Sequence, residues 1–228
     1  MSRGVVLVVA KAPVPGLAKT RLSPPASPEG AAAVAAAGLL DTLEAAAATG
    51  LPVVVAWTGD VTAAVGAAEV RAALAGTTVV EQRGDGFAER LVAAHADTGE
   101  LFPGEPVLQI GMDTPQVTAE RLTTSMAGLL RPDPPDAVLG AATDGGWWAL
   151  GVRSAHHARA LRDVSMSTAD TCADTLAALR ERGLHVGALP EMSDVDTMVE
   201  AEEVAAVVPG SRFAAAVAAV PVEKETEA

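Results

Sequence analysis

The chain has 228 residues, a length that fits one large domain, and half of its residues are hydrophobic while only 3% are aromatic. This composition excludes disordered and fibrous proteins and predicts a core of closely packed Ala, Val and Leu. The formal net charge is −13 and no long run of Lys or Arg interrupts it, which argues against nucleic acid as a partner.

Cysteine content and hydropathy narrow the class of protein further. Cys172 is the only cysteine, so an internal disulfide and a cysteine-based zinc site are both excluded. The first apolar run is too short to span a bilayer, and Asp41 and Glu44 interrupt the later Ala-rich stretch. We therefore expect a cytoplasmic protein without a membrane partner, and its oligomeric state stays open.

Short apolar runs alternate with longer segments along the chain. The short runs predict strands at residues 5–10, 53–57, 77–81, 107–110, 137–141, 147–152 and 186–189. The longer segments predict helices at residues 28–49, 61–75, 86–97, 119–130 and 167–182. This order predicts an α/β fold, a mostly parallel Rossmann-like sheet sandwiched by helices, with ligands at the carboxyl ends of the strands. We expect one domain over residues 1–210 and a C-terminal extension, residues 211–228, that ends in a frayed, partly disordered tail.

The loop after the first predicted strand is basic and stiff. It carries three cations, Lys11, Lys19 and Arg21, which suit the phosphates of a nucleotide. Pro13 restricts the backbone, and Gly16 allows a ligand to approach it closely. A solvated basic loop without a ligand is the alternative. The loop contains neither a Walker A motif nor a Gly-x-Gly-x-x-Gly turn, which disfavours P-loop and Rossmann cofactor sites.

The loop after the third predicted strand contains Gln82, Gly84 and Asp85. Its glycine permits a sharp turn, and an amide at a strand end can bind the edge of a base. The alternative is a plain turn in which Asp85 caps the following helix.

Two later loops carry carboxylates that suit a divalent cation. Asp113 follows the fourth predicted strand, where it can hold Mg²⁺ or Mn²⁺, and its alternative role is N-cap of a helix that opens at Thr114. Asp194 and Asp196 point to the same side of an extended segment and can share the cation with Asp113. Capping of the next helix by Thr197 is the alternative there.

A fifth loop contains Asp144, Gly145 and Gly146 and is followed by Trp147 and Trp148. The glycines permit a tight turn, and either tryptophan can stack on a base or sugar. The alternative is that one tryptophan packs in the core and the other does not.

The order of these loops resembles a known family. The chain contains, in succession, Lys-Ala-Pro-x-Pro-Gly-x-Ala-Lys-Thr-Arg-Leu, Gln-x-Gly-Asp-x-x-x-Glu-Arg, Gly-x-Asp-x-Pro, Asp-Gly-Gly and Asp-Val-Asp-Thr. This succession is similar to that of the bacterial DUF2064 proteins, glycosyltransferase-like members of the GT-A, or nucleotide-diphospho-sugar transferase, superfamily. The end of the first loop also resembles the phosphate loop of the 2-phospholactate guanylyltransferases. Departures from the family pattern fall mostly on the acceptor side, at Met112, Thr114, Trp147, Trp148 and Met166.

The resemblance implies a role for each loop. The phosphate and nucleotide contacts would come from Lys11, Pro13, Gly16, Lys19, Arg21, Gln82, Gly84, Asp85, Gly145 and Gly146. The metal ligands would be Asp113, Asp194 and Asp196, and the alternative for Asp194 and Asp196 is that they position the acceptor. The catalytic residues would be Asp113, Asp144 and Asp196, with Asp144 and its two glycines lining the acceptor side.

Three functions fit these residues. The first is metal-assisted transfer of a sugar from a nucleotide diphosphate sugar to a small-molecule acceptor, with Asp144 or Asp196 as base. The second is nucleotidylyl transfer, in which a nucleoside triphosphate reacts with a phosphorylated small molecule and pyrophosphate leaves. Three cations suit a triphosphate slightly better than a diphosphate sugar. The third is a nucleotide-binding module without catalysis.

Overall fold

The structure, a computed structural model, describes residues 3–221. Seven strands form one sheet in the order β3-β2-β1-β4-β6-β5-β7. Their bounds are β1 (Val5–Lys11), β2 (Val53–Thr58), β3 (Thr78–Glu81), β4 (Val107–Gly111), β5 (Ala137–Ala142), β6 (Trp147–Val152) and β7 (Val186–Met192). Only β6 runs antiparallel to its neighbours, β4 and β5. The predicted mostly parallel α/β sheet is therefore confirmed.

Helices cover both faces of this sheet. Their bounds are α1 (Pro28–Ala48), α2 (Ala67–Ala75), α3 (Phe87–Leu101), α4 (Ala119–Leu130), α5 (Thr171–Glu181), α6 (Met198–Val207) and α7 (Arg212–Ala218). Three 3-10 helices lie at Thr20–Leu22, Val61–Ala63 and Ala155–Asp163. The helix predicted over residues 61–75 is divided in two, because Gly66 adopts a left-handed conformation immediately before α2.

The central strand β1 explains why the buried strands are continuous apolar runs. Val6 and Val8 point into one hydrophobic cluster, whereas Leu7 and Val9 point into the other. Successive side chains of a strand alternate between faces, so a strand covered on both sides is apolar at nearly every position. The register of β1, in which Val8 lies opposite Val55 of β2 and Ile110 of β4, sets the position of the loop that follows.

Helix α1 is long and apolar enough, by length and composition, to cross a membrane. Most of its apolar window, 61%, is buried inside the fold, as expected for a core helix. It is the only helix among residues 3–221 that meets this test.

The residues after 210 pack against the body of the fold as far as residue 221. Ser211 caps α7 through a hydrogen bond from Ala214 N to Ser211 Oγ of 2.9 Å, and Phe213 is buried in a cluster shared with α1 and α6. Asp41 of α1 accepts hydrogen bonds from Arg212 Nη1 at 3.0 Å and from Phe213 N at 2.8 Å. The predicted tail, residues 222–228, lies outside the described residues, and the boundary at residue 210 stays a prediction.

A buried histidine makes the stability of this fold depend on pH. His95 of α3 is fully buried, and its Nε2 hydrogen-bonds to Gln109 Oε1 of β4 at 2.9 Å. Burial lowers the pKa of His95 from 6.5 to about 4. Between these two values the unfolded chain binds a proton that the folded protein does not, so stability falls as the pH falls through this window. We expect His95 to lower the free energy of unfolding by about 2 kcal/mol between about pH 7.5 and pH 5.

Urea unfolding of the wild type and of His95→Gln over this pH range measures the effect. The variant loses the titrating ring, so its free energy of unfolding should depend less steeply on pH, whatever the substitution costs at neutral pH. The same pH dependence in both proteins would show that His95 is not responsible.

Candidate functional site

The predicted site loops meet at one edge of the sheet. Since every strand except β6 runs in the same direction, the carboxyl ends of β1, β3, β4, β5 and β7 lie along one edge. The loops that leave this edge begin after residues 11, 81, 111, 142 and 192. Together with Lys11, the last residue of β1, they contain the predicted site residues.

Lys19 joins three of these loops. Its side chain is only 13% exposed, and its Nζ lies 3.0 Å from Asp113 Oδ2 and 3.1 Å from Asp196 Oδ1. The same Nζ also donates to the carbonyl oxygen of Val195. An ammonium group has three N–H donors, so these contacts use all of them. Lys19 therefore connects the loop after β1 to the loops after β4 and β7.

The Lys19 ion pairs are strong enough to overcome burial. Burial alone would lower the pKa of the Lys19 ammonium, but the charges of Asp113 and Asp196 outweigh it and raise that pKa. Burial alone would raise the pKa of Asp113, but Lys19 outweighs it and lowers that pKa. Lys19 and Asp113 are therefore both charged at neutral pH.

Asp196 is paired with a second cation. Arg21 Nη1 lies 2.8 Å from Asp196 Oδ2, although the Arg21 side chain is 69% exposed. The loop around Asp196 is held by a capping box, in which Thr197 accepts from Glu200 N and Glu200 accepts from Thr197 N. The predicted capping role of Thr197 is confirmed, and it fixes Asp196 in place rather than competing with it.

Three carboxylates converge beside these cations. Asp144, Asp194 and Asp196 each offer one oxygen, and the three oxygens lie within 4.8 Å of one another. Burial, followed by the charges of Asp144, Asp113 and Asp196, raises the pKa of Asp194 to about 6. Asp194 Oδ1 is buried and has no hydrogen-bond partner among the described residues. A cluster of oxygen donors with an unpartnered carboxylate oxygen fits a hard divalent cation.

The grouping of the aspartates differs from the one we expected. We predicted a shared metal site from Asp113, Asp194 and Asp196, but Asp144 lies with Asp194 and Asp196 while Asp113 is held by Lys19. The alternative role of Asp113 as a helix N-cap is wrong. Helix α4 begins at residue 119, where Thr118 Oγ1 accepts from Arg121 N at 3.1 Å.

Asp144 is oriented by the turn that joins β5 to β6. Its Oδ1 accepts a hydrogen bond from Gly146 N at 2.7 Å, and Gly145 N donates to Ala142 O at 3.1 Å. Gly145 adopts a φ of +90°, which favours glycine. The two glycines therefore position the Asp144 carboxylate.

One contact in this region was not predicted from the sequence. Gln116 Nε2 donates to the carbonyl oxygen of Ser193, which directly precedes Asp194. The bond joins the loop after β4 to the loop after β7. Nothing in the spacing of the sequence marks Gln116, because its partner lies 77 residues away.

The remaining cations of the first loop face solvent. Lys11 is exposed, and its Nζ donates to Leu17 O of the same loop at 3.0 Å. Gly16 has a φ of +75°, and Pro13 is buried while its carbonyl oxygen accepts from Val65 N at 3.0 Å. The loop is thus anchored at Pro13 and presents Lys11 and Arg21 to solvent.

Gln82 and Asp85 differ in how freely they can reach a ligand. Gln82 Nε2 donates to Ala10 O at 2.8 Å and to Ala56 O at 2.9 Å, so its amide hydrogens are used by the ends of β1 and β2. Asp85 is exposed, and the alternative that it caps α3 is wrong, because the N-cap is Gly86 and no side chain caps this helix. A φ of +131° at Gly84 accounts for the glycine in this turn.

Both tryptophans are held by the protein. Trp148 is buried and its Nε1 donates to Pro190 O at 2.9 Å, whereas Trp147 is half-buried on the other face and its Nε1 donates to Thr175 Oγ1 at 3.1 Å. This arrangement matches the packing alternative, in which one tryptophan lies in the core and the other does not.

The sequence matches one protein family. The family model of DUF2064, described as uncharacterized proteins conserved in bacteria, matches residues 40–168. No curated protein matches the chain.

Solved structures match nearly the whole chain. A candidate nucleotide-diphospho-sugar transferase from Desulfovibrio desulfuricans G20 has a TM-score of 0.81 and 25% identity, covering 96% of this chain and 95% of that one. CMP:2-keto-3-deoxy-manno-octonic acid synthetase in complex with CTP has a TM-score of 0.55 and 14% identity, covering 91% and 98%. A cytidylyltransferase from Leptospira borgpetersenii has a TM-score of 0.54 and 11% identity, covering 96% and 93%. The last two likenesses are of fold alone.

Proposed function

The chain belongs to the DUF2064 family of bacterial proteins and has the fold of a nucleotide-diphospho-sugar transferase. From this family and fold we propose that the protein is a metal-dependent transferase for a nucleotide-activated substrate. The reaction we favour moves a sugar from a nucleotide diphosphate sugar to a small-molecule acceptor. The observation that carries this proposal is the group of Asp144, Asp194 and Asp196 beside Lys19 and Arg21 at the carboxyl edge of the sheet.

The basic loop supplies the phosphate contacts in this proposal. Lys11 and Arg21 are exposed at the mouth of the site, and the Arg21 guanidinium can bind phosphate oxygens in bidentate fashion. Lys19 lies deeper, next to the carboxylates, where it would contact the phosphate nearest to the reacting bond. Gln82 and Asp85, at the end of β3, would lie on the side of the base and ribose.

The aspartates supply the metal ligands. Asp194 and Asp196 would hold Mg²⁺ or Mn²⁺ together with Asp144, and Asp113 would keep Lys19 in place from the opposite side. A bound ion of this kind stabilises the charge that develops on a leaving diphosphate. The Asp194 Oδ1 atom supports this assignment, because a charged carboxylate oxygen that is buried without a donor is costly and a bound cation would remove that cost.

Asp144 is the better of the two candidate bases. Both oxygens of Asp196 are occupied by Lys19 and Arg21, which makes Asp196 a poor acceptor of a proton. Asp144 is exposed, and among residues 3–221 only its Oδ1 accepts a hydrogen bond, from Gly146 N. One oxygen of its carboxylate would bind the metal, and the other would orient or deprotonate the hydroxyl group of the acceptor.

Nucleotidylyl transfer is the second candidate, and the three cations of the first loop favour it. A nucleoside triphosphate carries more charge than a diphosphate sugar and has more use for Lys11, Lys19 and Arg21. The synthetase with bound CTP has the same fold, although at 14% identity it supports only the fold.

Thermal unfolding with a panel of nucleoside triphosphates, nucleoside diphosphates and nucleotide sugars tests the proposal. Each ligand is added with Mn²⁺ and, as a control, with EDTA. A ligand at about 100 times its Kd should stabilise the folded protein by about 2.7 kcal/mol. Stabilisation by one diphosphate and its sugar conjugate supports glycosyl transfer, whereas preference for one triphosphate supports nucleotidylyl transfer. If no nucleotide shifts the melting temperature, the proposal is wrong.

A further inference from the structure

Lys19 and Arg21 occupy the carboxylate oxygens that a metal ion would use. Asp196 belongs to the acidic cluster, yet its Oδ1 is 3.1 Å from Lys19 Nζ and its Oδ2 is 2.8 Å from Arg21 Nη1. Asp113 Oδ2 is likewise held by Lys19, at 3.0 Å. An ion that binds Asp196 must share an oxygen with Lys19 or Arg21, and repulsion between the like charges favours displacement of one of these cations.

The displaced cation needs a new partner. The Lys19 side chain is only 13% exposed, and an ammonium group that loses its carboxylates in such a position is costly. A free divalent ion brings no anion to receive it. A metal–polyphosphate complex does, because phosphate oxygens accept charge-assisted hydrogen bonds from Lys and Arg.

We infer that Lys19 is an internal counter-cation of the acidic cluster formed by Asp144, Asp194 and Asp196. It disfavours binding of a free divalent ion and moves away from Asp196 when a metal–polyphosphate complex binds. This inference rests on the proposed function and adds the form in which the ligand binds. The metal and the polyphosphate enter as one complex, and the metal does not bind before the nucleotide. Lys19 would exchange Asp196 for a phosphate oxygen as the complex enters.

The site can accommodate this exchange without separating its loops. Gln116 joins the loop after β4 to the loop after β7 through the Ser193 carbonyl, independently of Lys19. Lys19 also carries its charge on a flexible stem, so its ammonium can move while the backbone stays in place. The acidic loops thus keep a link when Lys19 leaves Asp196.

Titrations with Mn²⁺ alone and with the preformed Mn²⁺–pyrophosphate complex, followed by electron paramagnetic resonance, test this inference. We expect Lys19→Met to bind free Mn²⁺ about tenfold more tightly than the wild type, a factor in the usual range of coupling between sites. The preference of the wild type for the complex over free Mn²⁺ should shrink in the variant. Lys19→Gln keeps a hydrogen-bond donor without the charge, and its affinity for free Mn²⁺ should also rise. This variant replaces Lys19→Met in the test if Lys19→Met folds poorly.

Lys11→Met is the electrostatic control. Lys11 acts on Asp113 through its charge, but its Nζ binds Leu17 O and occupies no carboxylate oxygen. Its loss should change the affinity for free Mn²⁺ far less than the loss of Lys19. Equal Mn²⁺ affinity in the wild type and both Lys19 variants, or an equal gain in Lys11→Met, would overturn the inference. Tighter Mn²⁺ binding by the Lys19 variants without any nucleotide-dependent stabilisation of the wild type would support the exchange and contradict the transferase.

Discussion

Replacing Asp194 with asparagine is expected to lower turnover by about 100-fold or more while raising the stability of the protein without ligands. Turnover falls because Asn keeps the shape of the side chain but loses the negative charge that would hold the metal. Asp194 has no ion pair with Lys or Arg among the described residues, so its charge has no structural partner to lose.

The sign of the stability change follows from the pKa of Asp194. Burial, and then the charges of Asp144, Asp113 and Asp196, raise it from 3.8 to about 6. A folded pKa above the unfolded one means that the folded protein holds the proton more tightly, so stability falls as the pH rises through this window. At neutral pH that cost is fully present, and Asp194→Asn removes it.

Steady-state release of nucleoside diphosphate or pyrophosphate measures turnover, and thermal unfolding at neutral pH without metal measures stability. Asp163→Asn is the matched control, because Asp163 is exposed and lies outside the acidic cluster. It should alter neither quantity. A purely structural Asp194 would give the opposite pattern, with lower stability and turnover reduced only in proportion to the loss of folded protein.

The sheet and the edge that carries the candidate site could be predicted because the buried strands are nearly continuous apolar runs that end in loops of polar residues and glycine. In a parallel sheet these loops share an edge, so their order along the chain already placed the first loop near the later aspartates. Lys19 and Asp113 lie 94 residues apart and meet at this edge.

The pairing within the edge could not be predicted. Whether Asp113 or Asp144 joins Asp194 depends on the turn between β5 and β6, which reverses the chain and brings Asp144 towards β7. Spacing does not encode such distances, and the contact of Gln116 with Ser193 has no sequence signal at all. Capping was also undecided, since Asp113, Asp85 and Thr197 all have residue types that cap helices, and only Thr197 does so.

Gly145, in the turn that positions Asp144, leaves no space for a larger side chain. Gly145 has a φ of +90°, and a Cβ atom there would lie 2.0 Å from the Ala169 carbonyl oxygen and 2.6 Å from its carbonyl carbon. These are backbone atoms, which cannot move aside as a flexible side chain would. The segment that contains Ala169 and Cys172 is also fixed to the turn, because Cys172 N donates a hydrogen bond of 2.8 Å to Gly145 O.

We therefore expect Gly145→Ala to destabilise the protein by about 3 kcal/mol or more, the sum of a left-handed backbone penalty and an overpacking penalty. For a chain of this size that corresponds to a loss of roughly 6–12 °C in melting temperature. Gly183→Ala is the matched control, because Gly183 has a φ of +77° but no heavy atom within 4 Å of the added Cβ. It should cost only the backbone penalty, about 1–2 kcal/mol.

The difference in stability between the two variants measures the cost of the contact with Ala169. The same pair of variants also tests the role of Asp144. If the turn yields to the added methyl group, Asp144 must move away from Asp194 and Asp196, and metal-dependent stabilisation by nucleotide should weaken in Gly145→Ala but not in Gly183→Ala. Equal melting temperatures for the two variants would mean that residues around Ala169 shift freely, and the turn would then not be the rigid support that the role of Asp144 requires.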